Sequence, residues 1–136
     1  MGSFANYWEQ KILDHVFGKA SYTAPSNIYV ALSTADPTDD GSGIAEPSGN
    51  GYARKQTAPA DWNAAVVSDT NYRIDNANDI TFAEATGSWG TISHFALFDA
   101  ASAGNILAHG ALSVSKAIGA GDTAKFAAGD LDVDLG

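Results

Sequence analysis

The three histidines are the residues of this chain best suited to acid–base or metal chemistry. His15 falls in a predicted helix, whereas His94 and His109 fall in two predicted neighbouring strands. No His-x-His or His-Glu-x-x-His spacing occurs, so the common zinc arrangements are absent. Two hypotheses remain for His94 and His109. They form a metal or acid–base pair across a hairpin, or each is hydrogen-bonded within or beside the core.

Carboxylates and glycines collect in the segment 34–51, which is long for a loop in a compact domain. Its Asp-Pro-Thr-Asp-Asp-Gly sequence lacks the alternating acids and distal Glu of an EF-hand. No Lys-Ser/Thr follows the glycines, as a phosphate-binding loop requires. A calcium site and a solvated loop are therefore the two hypotheses for this segment.

A second group of carboxylates lies in the segment 130–135, where three Asp residues alternate with apolar residues. A strand places alternate side chains on opposite faces. We therefore predict that Leu131, Val133 and Leu135 face inward and that the acids form a solvated outer face. A metal site on that acidic face is the alternative.

Nucleophilic chemistry is not indicated by any motif. The chain has no Cys, which excludes disulfides, zinc-thiolate sites and a Cys nucleophile. It also has no Gly-x-Ser-x-Gly elbow. A glycosidase needs only two carboxylates brought together by the fold, and no particular pair stands out. We therefore predict a protein that is not an enzyme and has no catalytic residue, cofactor or metal.

The charge of the chain excludes several classes of partner. The formal net charge is −9, from 7 Lys and Arg residues against 16 Asp and Glu residues. Nucleic-acid binding needs a basic surface, and anionic membrane surfaces repel an acidic protein. No apolar run approaches the ~20 residues of a transmembrane helix. The first residues lack the pattern of a signal peptide. We expect neither nucleic acid nor membrane as a partner.

The apolar stretch 88–99 is the element around which the other predicted elements are arranged. Alternation places Ile92 with Phe98 on one face and Phe95 with Leu97 on the other. A strand that is apolar on both faces is usually central and covered on both sides. We therefore predict that it is the middle strand of the fold.

Residues 3–17 give the only strong helical pattern. Apolar residues recur every four positions from Phe4 to Val16, with Ser3 placed to cap the start and Gly18 to end the helix. A helix of ~15 residues is marginal alone in water, so its wide apolar face must be buried. It packs on its own domain, or part of it docks on a partner chain.

Short predicted strands fill the rest of the chain and define its fold class. Segment 52–57 is polar enough for an edge or half-exposed strand, whereas 69–79 is rich in turn residues. Eight or nine strands at this spacing, after the helix, predict an all-β sandwich, jelly roll or barrel with one N-terminal amphipathic α-helix. We expect a single domain over 1–136, with the β body at 27–135.

Motifs of turns and core strands along nearly the whole chain resemble those of a known family. They are Asn6-Tyr7-Trp8-Glu9, Ile12-Leu13-Asp14-His15-Val16-Phe17-Gly18, Ile28-Tyr29-Val30-Ala31-Leu32-Ser33, Gly51-Tyr52-Ala53-Arg54, Trp89-Gly90-Thr91, Phe98-Asp99, Gly121-Asp122 and Ala128-Gly129-Asp130-Leu131. With them the chain resembles small virion structural proteins of tailed bacteriophages, labelled tail fibre or head decoration proteins. The resemblance implies a location in the virion.

Three functional hypotheses follow from the resemblance and the composition. The main one is a capsid decoration, or cement, protein that docks on the major capsid protein and stabilises the shell as a homo-oligomer, with a trimer expected. The alternative is a tail fibre or tail-tip component that contacts tail proteins or a host receptor, with a sugar site built from 36–50 and Trp62 or Trp89. The third is a soluble enzyme or small-molecule binder.

The candidate interface residues follow from side-chain type. Aromatic residues and Arg dominate the binding energy of protein interfaces. The candidates that we select are Tyr7, Trp8, Tyr52, Arg54 and Trp62.

Overall fold

A computed structural model describes all residues, 1–136, as one α-helix, one 3-10 turn and ten strands. The helix is α1 (Asn6–Val16), and the 3-10 turn covers Pro59–Asp61. The strands are β1 (Gly2–Phe4), β2 (Ile28–Ser33), β3 (Lys55–Thr57), β4 (Val66–Ser68), β5 (Asn71–Asp75), β6 (Ile80–Thr81), β7 (Gly90–Phe98), β8 (Ile106–Ile118), β9 (Lys125–Phe126) and β10 (Asp132–Leu135). No helix in the chain has the length and apolar character that a membrane crossing requires.

Eight of the strands form one large mixed sheet in the order β3-β2-β7-β8-β1-β10-β5-β4, and β6 pairs with β9 in a second, small sheet. Ile80 and Phe82, at and beside β6, pack with Phe95 of β7 in the main core. The predicted all-β fold with one N-terminal helix is confirmed. The polar strand β3 lies at one edge of the large sheet, as its composition indicated.

The strand β7 is central, as predicted, and is hydrogen-bonded to β2 and β8. Phe95 belongs to the main core, and Phe98 belongs to a smaller core on the other face of the sheet. Ile92 lies in the main core and not on the face of Phe98 that alternation predicted. The pairing of β7 with β8 is irregular at this point, with a register shift between Ile92 and His94, so simple alternation does not hold across it.

The first strand, β1, is an element that the sequence analysis missed. It lies between β8, to which it is antiparallel, and β10, to which it is parallel. Gly2 lies opposite Gly110, and a Cβ on Gly110 would collide with the backbone oxygen of Met1. The prediction that the helix starts at Ser3 was therefore wrong. The N-cap is Ala5, which offers no side-chain cap. The other end is as predicted, with Gly18 at a φ of +73° after the last turn.

The strand β5 also differs from the prediction, because the sequence of 69–79 indicates turns. It pairs with β10 on one side and β4 on the other. The acids of β10 do not form a free solvated face. Arg73 Nε donates to Asp134 Oδ1 over 2.6 Å, and Arg73 Nη1 lies 3.5 Å from Asp132 Oδ2. Polar residues thus build this part of the sheet through cross-strand charge pairs, which apolar alternation does not detect.

Candidate functional site

His94 and His109 line one surface pocket together with Asp36, but no hydrogen bond joins the two rings. His94 Nδ1 lies 2.8 Å from Ser93 Oγ, and His109 Nε2 lies 2.7 Å from Asp39 Oδ1. The other ring nitrogen of His109, Nδ1, lies 3.8 Å from Asp36 Oδ1. The chain holds no group of three or more His, Cys, Asp or Glu side chains arranged to hold a metal. The two histidines therefore have separate hydrogen-bond partners within the same pocket.

The segment 34–51 is organised by its own carboxylates. Asp40 Oδ1 accepts hydrogen bonds from the Ser42 amide at 2.9 Å and the Thr38 hydroxyl at 2.7 Å. These bonds, led by the one from the Ser42 amide, lower the pKa of Asp40 to about 2. Trp89, suggested as a sugar platform beside this segment, is buried, and its Nε1 donates to Asn50 O. Its ring is therefore not available for stacking on a sugar.

A charged network ties the same segment to β3 and to the end of β7. Arg54 donates from Nε and Nη2 to the two carboxylate oxygens of Glu46 at 2.9 and 2.8 Å. Its Nη1 donates to the carbonyls of Ala100 and Ala103, both at 2.8 Å. The guanidinium carbon lies 3.6 Å from the centre of the Phe98 ring. The Arg54 side chain is only 6 % exposed, so this network is part of the fold.

Tyr52 completes the network. Its hydroxyl donates to Glu46 Oε1 over 2.7 Å and accepts from the Leu32 amide. Burial acts to raise the pKa of Glu46, but the hydrogen bonds from Arg54 and Tyr52 outweigh it and hold the pKa below its usual value of 4.5. Burial raises the pKa of Tyr52 as well. At neutral pH the network therefore contains one carboxylate, one guanidinium and one neutral phenol.

The remaining predicted anchors also have partners within the chain. Trp8 Nε1 donates to the Tyr22 hydroxyl over 2.9 Å, and the ring of Tyr7 meets the ring of Tyr22 edge to face. Trp62 Nε1 donates to Thr57 Oγ1 over 2.9 Å. The five predicted residues thus fall into two places, on α1 and around β3. Their role as interface anchors stays a prediction.

The last turn of α1 carries an exposed apolar surface. The apolar repeat in the sequence predicted one buried face along the whole helix and did not show that this end is exposed. Leu13, Val16 and Phe17 are 58, 70 and 72 % exposed, and we call these three residues the helix tip. Trp8, one and a half turns earlier, packs against the main core. Large apolar side chains grouped on a surface mark interaction sites. The helix therefore packs on its own domain at one end and presents an apolar surface at the other.

A second exposed apolar surface lies at the far edge of the large sheet. Its members are Val67, Tyr72 and Leu135, each more than half exposed, and we call them the β4 patch. Val66 is exposed as well, but it pairs with Arg73 and faces the other side of the sheet. Leu131 and Val133 are buried in the main core as predicted, but Leu135 is 54 % exposed, so the prediction that it faces inward was wrong. The absence of charge in the short strand β4 is the signal in the sequence that could have identified this patch.

The comparisons with known proteins point to a phage structural protein. A family model described as podophage GP4 fiber I protein gp80 matches residues 3–134. A comparison with curated proteins gave no match. The family match extends from β1 to β10 and so covers both the large sheet and the helix.

Proposed function

The chain belongs to the podophage GP4 fiber I protein gp80 family, and on this premise we propose that it is a tail fibre component, without enzymatic activity, that takes part in host attachment. The observation that carries the proposal is the match of a fibre family over residues 3–134. Membership of this family makes the chain a virion structural protein that associates with other virion components. The fibre role is the more specific part of the proposal. It fits the family description better than capsid decoration does.

The helix tip is the surface through which we propose that the chain docks on a neighbouring tail protein. Its three side chains are apolar, and an aromatic residue such as Phe17 is a common anchor of protein interfaces. The helix that carries it is fixed at its other end, where Ala5 N donates to Leu107 O and Trp8 packs on the core. A rigid helix loses little conformational freedom on docking, which favours binding.

Replacing Leu13 and Phe17 together (Leu13→Ser, Phe17→Ser) should leave the protein folded and remove it from the virion. Both side chains are more than half exposed, so their loss opens no cavity in the core. We expect at least a tenfold drop in copies per virion, measured by quantitative mass spectrometry of purified particles. The melting temperature should change by no more than about 3 °C.

The matched control is Val114→Ser, which removes a side chain that is 69 % exposed at another place. This variant should enter the virion at the wild-type level. If the double variant enters the virion at the wild-type copy number, the helix tip is not the docking surface. The family assignment would be unaffected.

Copy number of the wild-type chain separates the fibre role from capsid decoration. We expect a decoration protein that bridges capsid subunits to be present at close to one copy per capsid subunit, and a fibre component to be present in far fewer copies. The measurement is the ratio of this chain to the major capsid protein in purified particles. A ratio near one would overturn the fibre proposal in favour of the cement role, and absence from the particle would overturn both.

A further inference from the structure

A gap in the large sheet lies in line with β1, between β8 and the segment that leads into β10. β1 begins at Gly2, opposite Gly110 of β8 and Val133 of β10. Beyond that point β8 continues to Ile118 with no strand beside it on this side. The gap has a volume of about 1040 Å³ and is lined by 111–118 on one side and by 122–126 and 129–132 on the other. We call it the β1 slot, because a strand that continued β1 backwards would fill it.

The part of β8 that borders the β1 slot has no partner residue in either neighbouring strand. On the β7 side, Lys116 pairs with Ile92 and Ala111 pairs with His94, so the residues 112–115 lie outside the register. On the other side, the pairing with β1 ends at Gly110. Unpaired strand residues beside a gap of this kind are what an added strand binds.

The pairing of β1 shows which backbone groups of β8 face the slot. Ala5 N donates to Leu107 O over 2.8 Å, so these two residues form a hydrogen-bonded pair. Bonded and non-bonded pairs alternate along antiparallel strands, which places the backbone groups of His109 and Ala111 on the β1 side. Ser113 is the next residue in this series. Its N–H and C=O therefore face the slot.

The floor of the slot is apolar. Ile92, Phe95 and Leu131 line it and belong to the main core. Leu112 packs against the same core, whereas Val114, two residues further along β8, lines the slot but is 69 % exposed. An added strand with apolar residues at alternate positions would cover this surface.

The rim of the slot favours a cation. Its carboxylates are Asp122, Asp130 and Asp132, and its lysines are Lys116 and Lys125. Lys125 is already paired over 3.7 Å with Asp79, which lies outside the slot. Asp132 Oδ1 is buried and has no hydrogen-bond partner, because the Met1 ammonium, 3.4 Å away, lacks the geometry of a hydrogen bond. A buried carboxylate oxygen without a donor is costly, so a lysine or arginine of the occupant would be stabilised here.

The shape of the slot decides what kind of chain can enter it. The slot is bounded on both sides, whereas a strand at the edge of a folded sheet carries a neighbour on one side and could not enter without it. All ten strands of this chain are already paired, so a second folded copy has no free strand to offer. The occupant that fits is a single extended segment of a different protein.

We propose that the β1 slot binds one extended segment of another virion protein, antiparallel to β8 and in line with β1. The segment places apolar side chains against Ile92 and Phe95 and a lysine or arginine beside Asp132. It pairs with Ser113 through backbone hydrogen bonds and so adds a strand to the sheet. The choice of a virion protein rests on the proposed function, whereas the slot itself follows from the strand register.

A photo-reactive residue in place of Ser113 tests the proposal in assembled particles. Leu112 packs on the core, so the side chain at position 113 points the other way and does not fill the slot. We expect irradiation of virions that carry a diazirine amino acid at position 113 to join this chain to one segment of a different virion protein, identified by tandem mass spectrometry. The matched control carries the same amino acid in place of Gln56, an exposed residue of the edge strand β3, and should give no cross-link to that segment.

The outcomes of this experiment separate the slot from the fibre role. No cross-link from position 113, cross-links only to another copy of this chain, or equal cross-linking from position 56 would overturn the slot proposal. The fibre proposal would stand in each of these cases, provided that the particles hold the chain at the copy number of a fibre component. Absence of the chain from the particles would overturn both proposals.

Two substitutions of Ser113 separate backbone pairing from side-chain contact. Ser113→Pro removes the N–H, whereas Ser113→Ala keeps it. With the diazirine amino acid moved to position 115, Ser113→Pro should lower the cross-link yield per copy of this chain about tenfold, since a strand hydrogen bond is lost and the partner's acceptor is left unpaired. Ser113→Ala should keep the wild-type yield. An unchanged yield in Ser113→Pro, or an equal loss in both variants, would overturn the proposed pairing. Cooperative thermal unfolding shows that each variant is folded, and if Ser113→Pro is not, the result at position 113 decides.

Discussion

Replacing Arg54 by alanine (Arg54→Ala) should lower the free energy of unfolding by about 3–5 kcal/mol, the usual cost of removing one partner of a buried ion pair. The substitution removes both hydrogen bonds to Glu46, the bonds to Ala100 and Ala103, and the contact with the Phe98 ring. It leaves the Glu46 carboxylate, only 22 % exposed, without a cation. Denaturant unfolding at pH 7 measures the loss, which corresponds to a drop in melting temperature of about 10–18 °C.

The pH dependence of this loss identifies its cause. Glu46 has a pKa below its usual value in the folded protein, so its pairing stabilises the fold above the unfolded pKa of about 4.5 and is lost as pH falls through the lower, folded value. The difference between wild type and variant should therefore be largest at neutral pH and shrink between about pH 5 and pH 3. Lys55→Ala removes the same charge from the next residue, which is exposed, and should have little effect. An equal loss in both variants would contradict a specific role for the network.

Replacing Asn76 by alanine (Asn76→Ala) should have a similarly large effect, of about 3 kcal/mol or more, since each buried polar group left without a partner costs about 1–3 kcal/mol. The Asn76 side chain is fully buried. Its Nδ2 donates to the carbonyls of Asn78 and Ala127, and its Oδ1 accepts from the Leu131 amide. The substitution leaves all three backbone groups without this partner. Thermal unfolding followed by circular dichroism measures the result.

The control for Asn76 is its near neighbour Asn78, which is exposed and donates to Asp61 Oδ1 over 3.1 Å. Asn78→Ala should cost no more than about 1 kcal/mol, the net value of an ordinary hydrogen bond. Comparable losses at the two positions would show that the amide of Asn76 does not hold 127–131 against the end of β5.

The parts of the fold that the sequence predicted are those in which apolar side chains decide the structure. The strand β7 was predicted as central because it is apolar on both faces, and such a strand has few other places in a small domain. The helix was predicted because its apolar residues recur at helical spacing, although its tip was not recognised as exposed. The apolar pattern thus predicted both that β7 is a strand and that it lies at the centre of the sheet.

The parts that the sequence did not predict depend on polar contacts between distant residues. The sequence of β5 predicts turns, because the contact that stabilises it as a strand is not local. Arg73 of β5 pairs with Asp134 of β10, sixty-one positions later in the chain. From the sequence, Tyr52 and Arg54 were predicted to be interface anchors. In the structure both donate hydrogen bonds to Glu46, which lies in a segment that the sequence predicts to be a loop. The β4 patch depends on which strand ends the sheet, and residue pattern alone does not fix strand order.

The position of β1 sets the order in which the protein can be completed during synthesis. Gly2–Phe4 is made well before its two neighbours in the sheet, because Ser3 faces His109 on one side and Asp134 on the other. Contacts between residues so far apart in the chain make folding slow. Until β1 is in place, the edges of β8 and β10 that flank it are open to strands of other copies. Insertion of β1 into the sheet therefore competes with aggregation through these two open edges.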